Sequence, residues 1–260
     1  MTPVTSRSTT SAPAPAPMPT PTPTPTPTYD TVHSVLTVST LRKSLLAQLT
    51  PDQRARLASD SRAVAECGTP ALDVRFPAAG RNYGRGPLSG WADWAVEDAA
   101  RAVLLQQLTA REGGLAAEVI SRYWGGDAAE RRGVLFALSF LPLGPGALAL
   151  TDDALRTNDN RLIAAALGPY ARVHLDQYRW RQAVLKCLFT GIPLHRVSGL
   201  DERKDAELAR MAGDFATERR AAGRAVPPDL WLVATEGVPP KVLPMVLPNR
   251  PTAEAEPADR

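Results

Sequence analysis

The stretch D127-AAERRGVLFALSFLPL-G144 decides the fold, because it admits two readings. By periodicity alone, Val134 to Leu141 reads as a buried strand, a short apolar run closed by Pro142. The residues before it argue otherwise. Asp127 and Glu130 stand three apart, the spacing at which a cap and its reciprocal acceptor satisfy the free N–H groups of a helix start. A capped start followed by an all-round apolar run predicts a buried helix.

Working outward, the same signals recur. In "TPDQRARLASDSRAVAE", Thr50 is a candidate N-cap, Pro51 suits the first helical position, and Gln53 completes a capping box. "TVHSVLTVSTLRKSLLAQLT" before it places Leu41, Leu45, Leu46 and Leu49 near helical spacing. "SGWADWAVEDAARAVLLQQLTA" steps by three and four through Trp91, Trp94, Ala95, Ala99, Ala102 and Leu105, with Ser89 as its candidate cap. "EGGLAAEVISRYWGG" predicts a short helix ended by Gly125. "GALALTDDALRTNDNRLIAAALGPY" predicts two more, the second starting near Asn158 or Asp159.

Downstream, Trp180, Val184, Leu188 and Phe189 make one stripe, and Leu208, Met211, Ala212 and Phe215 another. Pro227-Pro228 opens a last short helix. The stretch "CGTPALDVRFPAAGRNYGRGPL" holds no period and reads as a long loop. The sum is about nine helices and an all-α domain. Helix pairs near 32–66, 90–124, 127–167 and 175–222 predict a solenoid-like stack of antiparallel pairs, without a fixed-period repeat.

Composition sets the boundaries. Nine of the 25 prolines fall in residues 1–28 and six in 237–260. The Pro/Thr/Ala run predicts an extended, disordered tether over 1–29. A disordered tail over 237–260 is expected too, although Val242, Leu243, Met245, Val246 and Leu247 offer apolar contacts. A single helical domain of 207 residues remains, 30–236. It carries 26 Lys and Arg against 24 Asp and Glu, interspersed at helical spacing. That balance argues against a nucleic-acid groove. No apolar run is long enough to span a membrane, and the leader lacks an apolar signal segment. Cys67 and Cys187 form no metal or redox pattern, and Cys187 reads as a buried free thiol. A cytoplasmic, cofactor-free chain is expected.

The catalytic templates yield no phosphate loop, nucleophile elbow or zinc motif. His195 is the candidate general base, since an imidazole exchanges protons near neutral pH, and Asp201 is its candidate orienting carboxylate. The competing reading makes the segment a structural corner, with His195 in a polar slot and Asp201 capping the next helix. His174 falls in a turn and His33 beside the tether. In "RTNDNR", Arg156 and Arg161 offer an anion contact, and Asn158, Asp159 and Asn160 suit a turn and cap. Trp91 and Trp94 line either a groove or the core.

Three segments carry a family resemblance: "GWADWAVEDAARAVLL" from Gly90, "LRTND" from Leu155, and "WRQAVLKCLFTGIPLHRVSGLDERKDAELARMAGDFATERRAAGRAVPPDLW" from Trp180 to Trp231. Over residues 88–234 the chain resembles the EboA family. It departs from the family pattern at Arg181 and Ala183 and at the turn "GPYA". The resemblance implies a helical protein of bacterial ebo operons, whose products are associated with moving secondary-metabolite precursors from cytoplasm to periplasm. The implied partners are the operon's prenyltransferase and metal-dependent hydrolase and a hydrophobic precursor, with contact at the inner face of the membrane. Within the matching blocks, Arg156, Asn158, Trp180, Gln182, Lys186, His195 and Asp201 are the candidate binding residues. A non-catalytic scaffold is the leading expectation. The alternative is an enzyme acting on a prenylated or sugar-phosphate intermediate, with His195 as base.

Overall fold

A computed structural model describes residues 37–110 and 114–234; the expected tether and tail, and His33, lie outside the described residues. Among those residues the secondary structure is helical, and the one β-feature is an isolated antiparallel bridge between Pro87 and Ala95. The opening stretch is a helix. Asp127 accepts from the Glu130 N–H (2.8 Å) and Glu130 from the Asp127 N–H (3.0 Å), and the helix runs Ala128–Ala137 before tightening into a 3-10 turn. Thr50 and Gln53 make the second predicted capping box, with Pro51 inside it.

The N-terminal helices are α1 (Val38–Gln48), α2 (Pro51–Cys67), α3 (Thr69–Arg75) and α4 (Ala79–Tyr83). The last two correct the reading of this region as a loop. Each is too short to show a period, and burial of Leu72, Phe76, Ala79 and Tyr83 holds them in place. Then come α5 (Val96–Gln106), α6 (Leu115–Gly125), α7 (Ala128–Ala137), α8 (Leu148–Arg156), α9 (Asn160–Ala166) and α10 (Pro169–His174). His174 therefore ends a helix and does not lie in a turn. The C-terminal part holds α11 (Gln177–Thr190), α12 (Leu200–Arg203), α13 (Ala206–Ala221) and α14 (Trp231–Ala234).

The stack is visible in the packing order. α1, α5, α7, α9, α11 and α13 form a row in which each helix packs on the next, and α14 closes its end. α6 lies against α7, and α8 against α9, as the second members of pairs. Two apolar cores fill the row, one from Leu41 to Tyr170 and one from Ile163 to Ala234. Helix α9 is their common wall: Leu162, Ala165 and Ala166 face the first, and Ile163 belongs to the second.

One helix start differs from expectation. Ser89, Trp91 and Trp94 precede α5 in a closed loop, and the cap position is Ala95. The Leu88 N–H donates to the Trp94 carbonyl and the Val96 N–H to that of Gly86, so the loop folds onto itself. The aromatic spacing mimicked a helix because both rings dock on one aromatic wall, Trp94 on Phe136 of α7 and Trp91 on Phe140 of the 3-10 turn that follows it.

Candidate functional site

Helix α11 carries three candidate residues, Trp180, Gln182 and Lys186, and leads into the corner that holds His195. Asp176 caps its start, accepting from the Arg179 N–H at 2.8 Å. Gly191, at φ 73°, ends it in the left-handed conformation that a Cβ disfavours. The chain then turns through Pro193 and a 3-10 turn, Leu194–Arg196, into α12. Burial divides the turn: Ile192, Leu194 and Val197 enter the second core, while His195 and Arg196 face outward. Asp229 accepts from the Leu194 N–H (2.8 Å), and the Leu167 carbonyl from the Ser198 N–H (2.9 Å), which fixes the corner from both sides.

Around this corner most polar groups hold the fold. The Arg203 guanidinium donates to the carbonyls of Ala171 (3.2 Å), Arg172 (2.9 Å) and Leu175 (2.8 Å), and to Gln177 Oε1 (3.1 Å). The Ala171 carbonyl also accepts the helix-closing Leu175 N–H (3.0 Å), and the guanidinium joins it to the carbonyls that follow at the end of α10. Its carbon Cζ lies 5.0 Å from the ring centre of Trp180, which is fully buried. Asp205, and not Asp201, caps α13, accepting from the Leu208 N–H at 2.9 Å. Arg181, bonding it at 2.7 to 3.0 Å, is the main reason its carboxyl sits at about 2. Asp201 is 90 % exposed and pairs with Lys204 (3.1 Å), while Glu202 pairs with Arg172. No hydrogen bond or ion pair joins His195 to Asp201 among the described residues.

Two other segments reach the same place. Lys186 Nζ donates to the carbonyls of Leu155 (2.6 Å) and Thr157 (2.7 Å), closing the end of α8. Asn160 donates to the Thr190 carbonyl (3.1 Å), so the "RTNDNR" turn abuts the end of α11. Within that turn Arg156 is exposed with Asp153 at 3.7 Å, Asn158 is exposed, and Asp159 caps α9 while binding Arg161. From the other side Arg196 Nη2 reaches Asp93 Oδ1 at 2.6 Å. Asp93 has φ 67°, uncommon for a residue with a side chain. It sits between Trp91 and Trp94. Trp94 stacks on Phe136 with centroids 4.5 Å apart, and Trp91 meets Trp94 edge-on at 5.5 Å.

The first turn of α5 holds an ionic group that the sequence did not reveal. Asp98, fully buried, accepts from the Ala95 N–H (2.9 Å) and pairs with Arg132 (3.1 Å). Burial pushes its carboxyl up, with Arg132 opposing. Glu97 pairs with Arg101 at 3.3 Å and with Arg132 at 3.4 Å. With the helix read as starting at Ser89, Glu97 and Asp98 fell in its middle, and their shared partner Arg132, on another helix, was not legible.

Of the candidate residues, the structure gathers Lys186, Asn158 and Arg156 near the end of α11 and puts His195 at the adjoining corner. Gln182 lies exposed on the outer face of α11, Trp180 lies in the core, and Asp201 points to solvent. Cys187 is the expected buried thiol, pushed up to about 12 by desolvation. Among the described residues no group of three or more His, Cys, Asp or Glu could hold a metal ion, and no helix is long and apolar enough to cross a membrane.

This arrangement defines a stacked-helix protein whose candidate site is a surface junction of three segments: the corner, the "RTNDNR" turn and the tryptophan loop. The profile of a family described as "Metabolite traffic protein EboA" matches residues 84–235, more than half of the chain, and the protein belongs to that family. No curated protein and no solved structure matches.

Proposed function

We propose that the chain is a non-catalytic helical accessory protein in the traffic of a secondary-metabolite precursor towards the periplasm, and that the junction at the end of α11 meets its partner. The observation that carries this reading is the Arg196–Asp93 pair, which ties the corner to the tryptophan loop and leaves His195 exposed beside it. The description attached to the family supports a role in metabolite traffic. The proposed partners are the prenyltransferase and metal-dependent hydrolase of ebo operons, met at the cytoplasmic face of the inner membrane, with a hydrophobic precursor as cargo. The enzyme reading took Asp201 as the carboxylate orienting His195, and Asp201 pairs instead with Lys204.

The test is affinity purification of the tagged full chain from solubilised membranes, with mass spectrometry of bound proteins and small molecules. The operon partners should be recovered with the native chain and fall at least about tenfold with His195→Ala or Arg196→Ala. Melting should be unchanged, because an exposed pair contributes only about 0–1 kcal/mol. Unchanged recovery in both variants, or a bound small molecule with no protein partner, would overturn the proposal.

A further inference from the structure

Helices α11 and α13 lie side by side and run in the same direction. Arg181, near the start of α11, pairs with Asp205, the cap of α13, and Phe189 at the other end meets Phe215 edge-on, with centroids 4.5 Å apart. The seam between them is apolar and open. Tyr178 is 67 % exposed and Phe189 57 %, while Met211 and Phe215 are half-buried against the second core. Leu185, on the same flank of α11 and buried in that core, floors the seam. At about 100° per residue, Arg179 and Lys186 stand on the opposite flank. There Asp152 (3.1 Å) and the carbonyls of Leu155 and Thr157 hold them. At the far end Arg219 lies over the Phe215 ring and donates to the Ala225 carbonyl (2.6 Å).

The α13 rim of the seam is acidic. Glu207, Asp214 and Glu218 fall within about 40° of one another, about 40–80° outside Met211 and Phe215. Glu207 and Asp214 share Arg210, and Glu218 has no ion pair among the described residues.

We propose that this seam is the dock for the chain's own segment Val242–Pro248, laid along it as a polyproline II strand. The segment reads VLPMVLP, seven residues without a polar side chain. At about 3.1 Å per residue it is about 22 Å long, against about 21 Å for α11. Aromatic-lined grooves take such strands because little freedom is lost on ordering them. Charge agrees: residues 237–250 carry Lys241 and Arg250 and no acid, opposite to the rim. Reach agrees too. The described chain leaves at Ala234, on α14, which packs beside α13 with Trp231 under Arg220. The residues from Ala234 to Val242 span up to about 26 Å, more than the width of about 10–12 Å of the helix they have to cross. So short a tether holds the segment at an effective concentration in the millimolar range, where a few apolar contacts suffice.

Photo-crosslinking of the full chain tests this, with benzoylphenylalanine in place of Tyr178 or Gln182, both exposed, which leaves the Phe189–Phe215 seat intact. A link to residues 241–248 within the same chain is expected, mapped by mass spectrometry of the monomer. A tether alone also brings the segment near, so the contacts themselves are removed. Leu243→Asp with Leu247→Asp, and separately Phe189→Asp, should each lower the link at least about fivefold, with circular dichroism unchanged. Links to residues 1–36 or to a second chain, a yield indifferent to these variants, or no link from either position overturns the proposal.

Discussion

Arg203 reaches 28 to 32 positions back along the chain to close the end of α10. In the sequence it is one member of a run of charges, and nothing local distinguishes it from Glu202 or Lys204. Its importance comes from what it would leave behind. Arg203→Ala takes the donor from the buried Leu175 carbonyl and removes the cation from the Trp180 face, a cost of about 3 kcal/mol. Lysine should restore less than half of it, because an ammonium lacks the planar fork. Urea denaturation measures both. Lys186 and Trp180, singled out through the family resemblance as binding residues, are placed by the structure in the fabric of the fold. Lys186→Met should cost about 2 kcal/mol in the same assay. Asp205 has a pH signature. Its folded pKa, about 2, is depressed from about 3.9 in an open chain, so its contribution is present above pH 4 and is lost as pH falls towards 2. Asp205→Asn should flatten that acid limb of the stability profile; an unchanged limb would assign the acid loss to other carboxylates.

Among the elements, the helices with side-chain caps were legible, even the short α9, because a cap is a local signal. α7, α9, α11 and α13 follow from residues within one or two turns. α3, α4 and α10 were missed because one or two turns hold too few residues for a period, and tertiary burial supplies what propensity does not. The tryptophan loop was misread because two rings at helical spacing also suit a loop that presses them against Phe136 and Phe140. The corner makes a graded prediction about glycine. Gly191 (φ 73°) has open space where a Cβ would stand, so Gly191→Ala carries backbone strain alone, about 1 kcal/mol. At Gly199 (φ 75°) a Cβ would lie 2.6 Å from Arg172 Cδ. Gly199→Ala adds that collision to the strain and should lower the melting temperature further than Gly191→Ala. The reverse order would mean that Arg172 swings aside at no cost.

For the whole molecule, the row of helices was foreseeable as a class, but the existence of two cores was not, since the division runs through α9. Neighbouring residues of that short helix serve different cores, so its removal from either should unsettle both. Ile163→Ala opens the second core at a fully buried position, at about 2–5 kcal/mol. If α9 joins the two, circular dichroism and tryptophan fluorescence will still trace one coincident transition. Separate transitions would show that the cores melt independently.

The closures of α8 and α10 also set a timetable for a chain that leaves the ribosome from its N-terminus. Leu155 waits for Lys186, 31 residues later, and Leu175 for Arg203, 28 residues later. At about 5–20 residues per second, each helix end stays open for roughly 2–6 seconds after it has been synthesised. During that interval the first core can already close, while the surface intended for the second is bare. A nascent chain paused between His174 and Arg203 is therefore the species most in need of a chaperone.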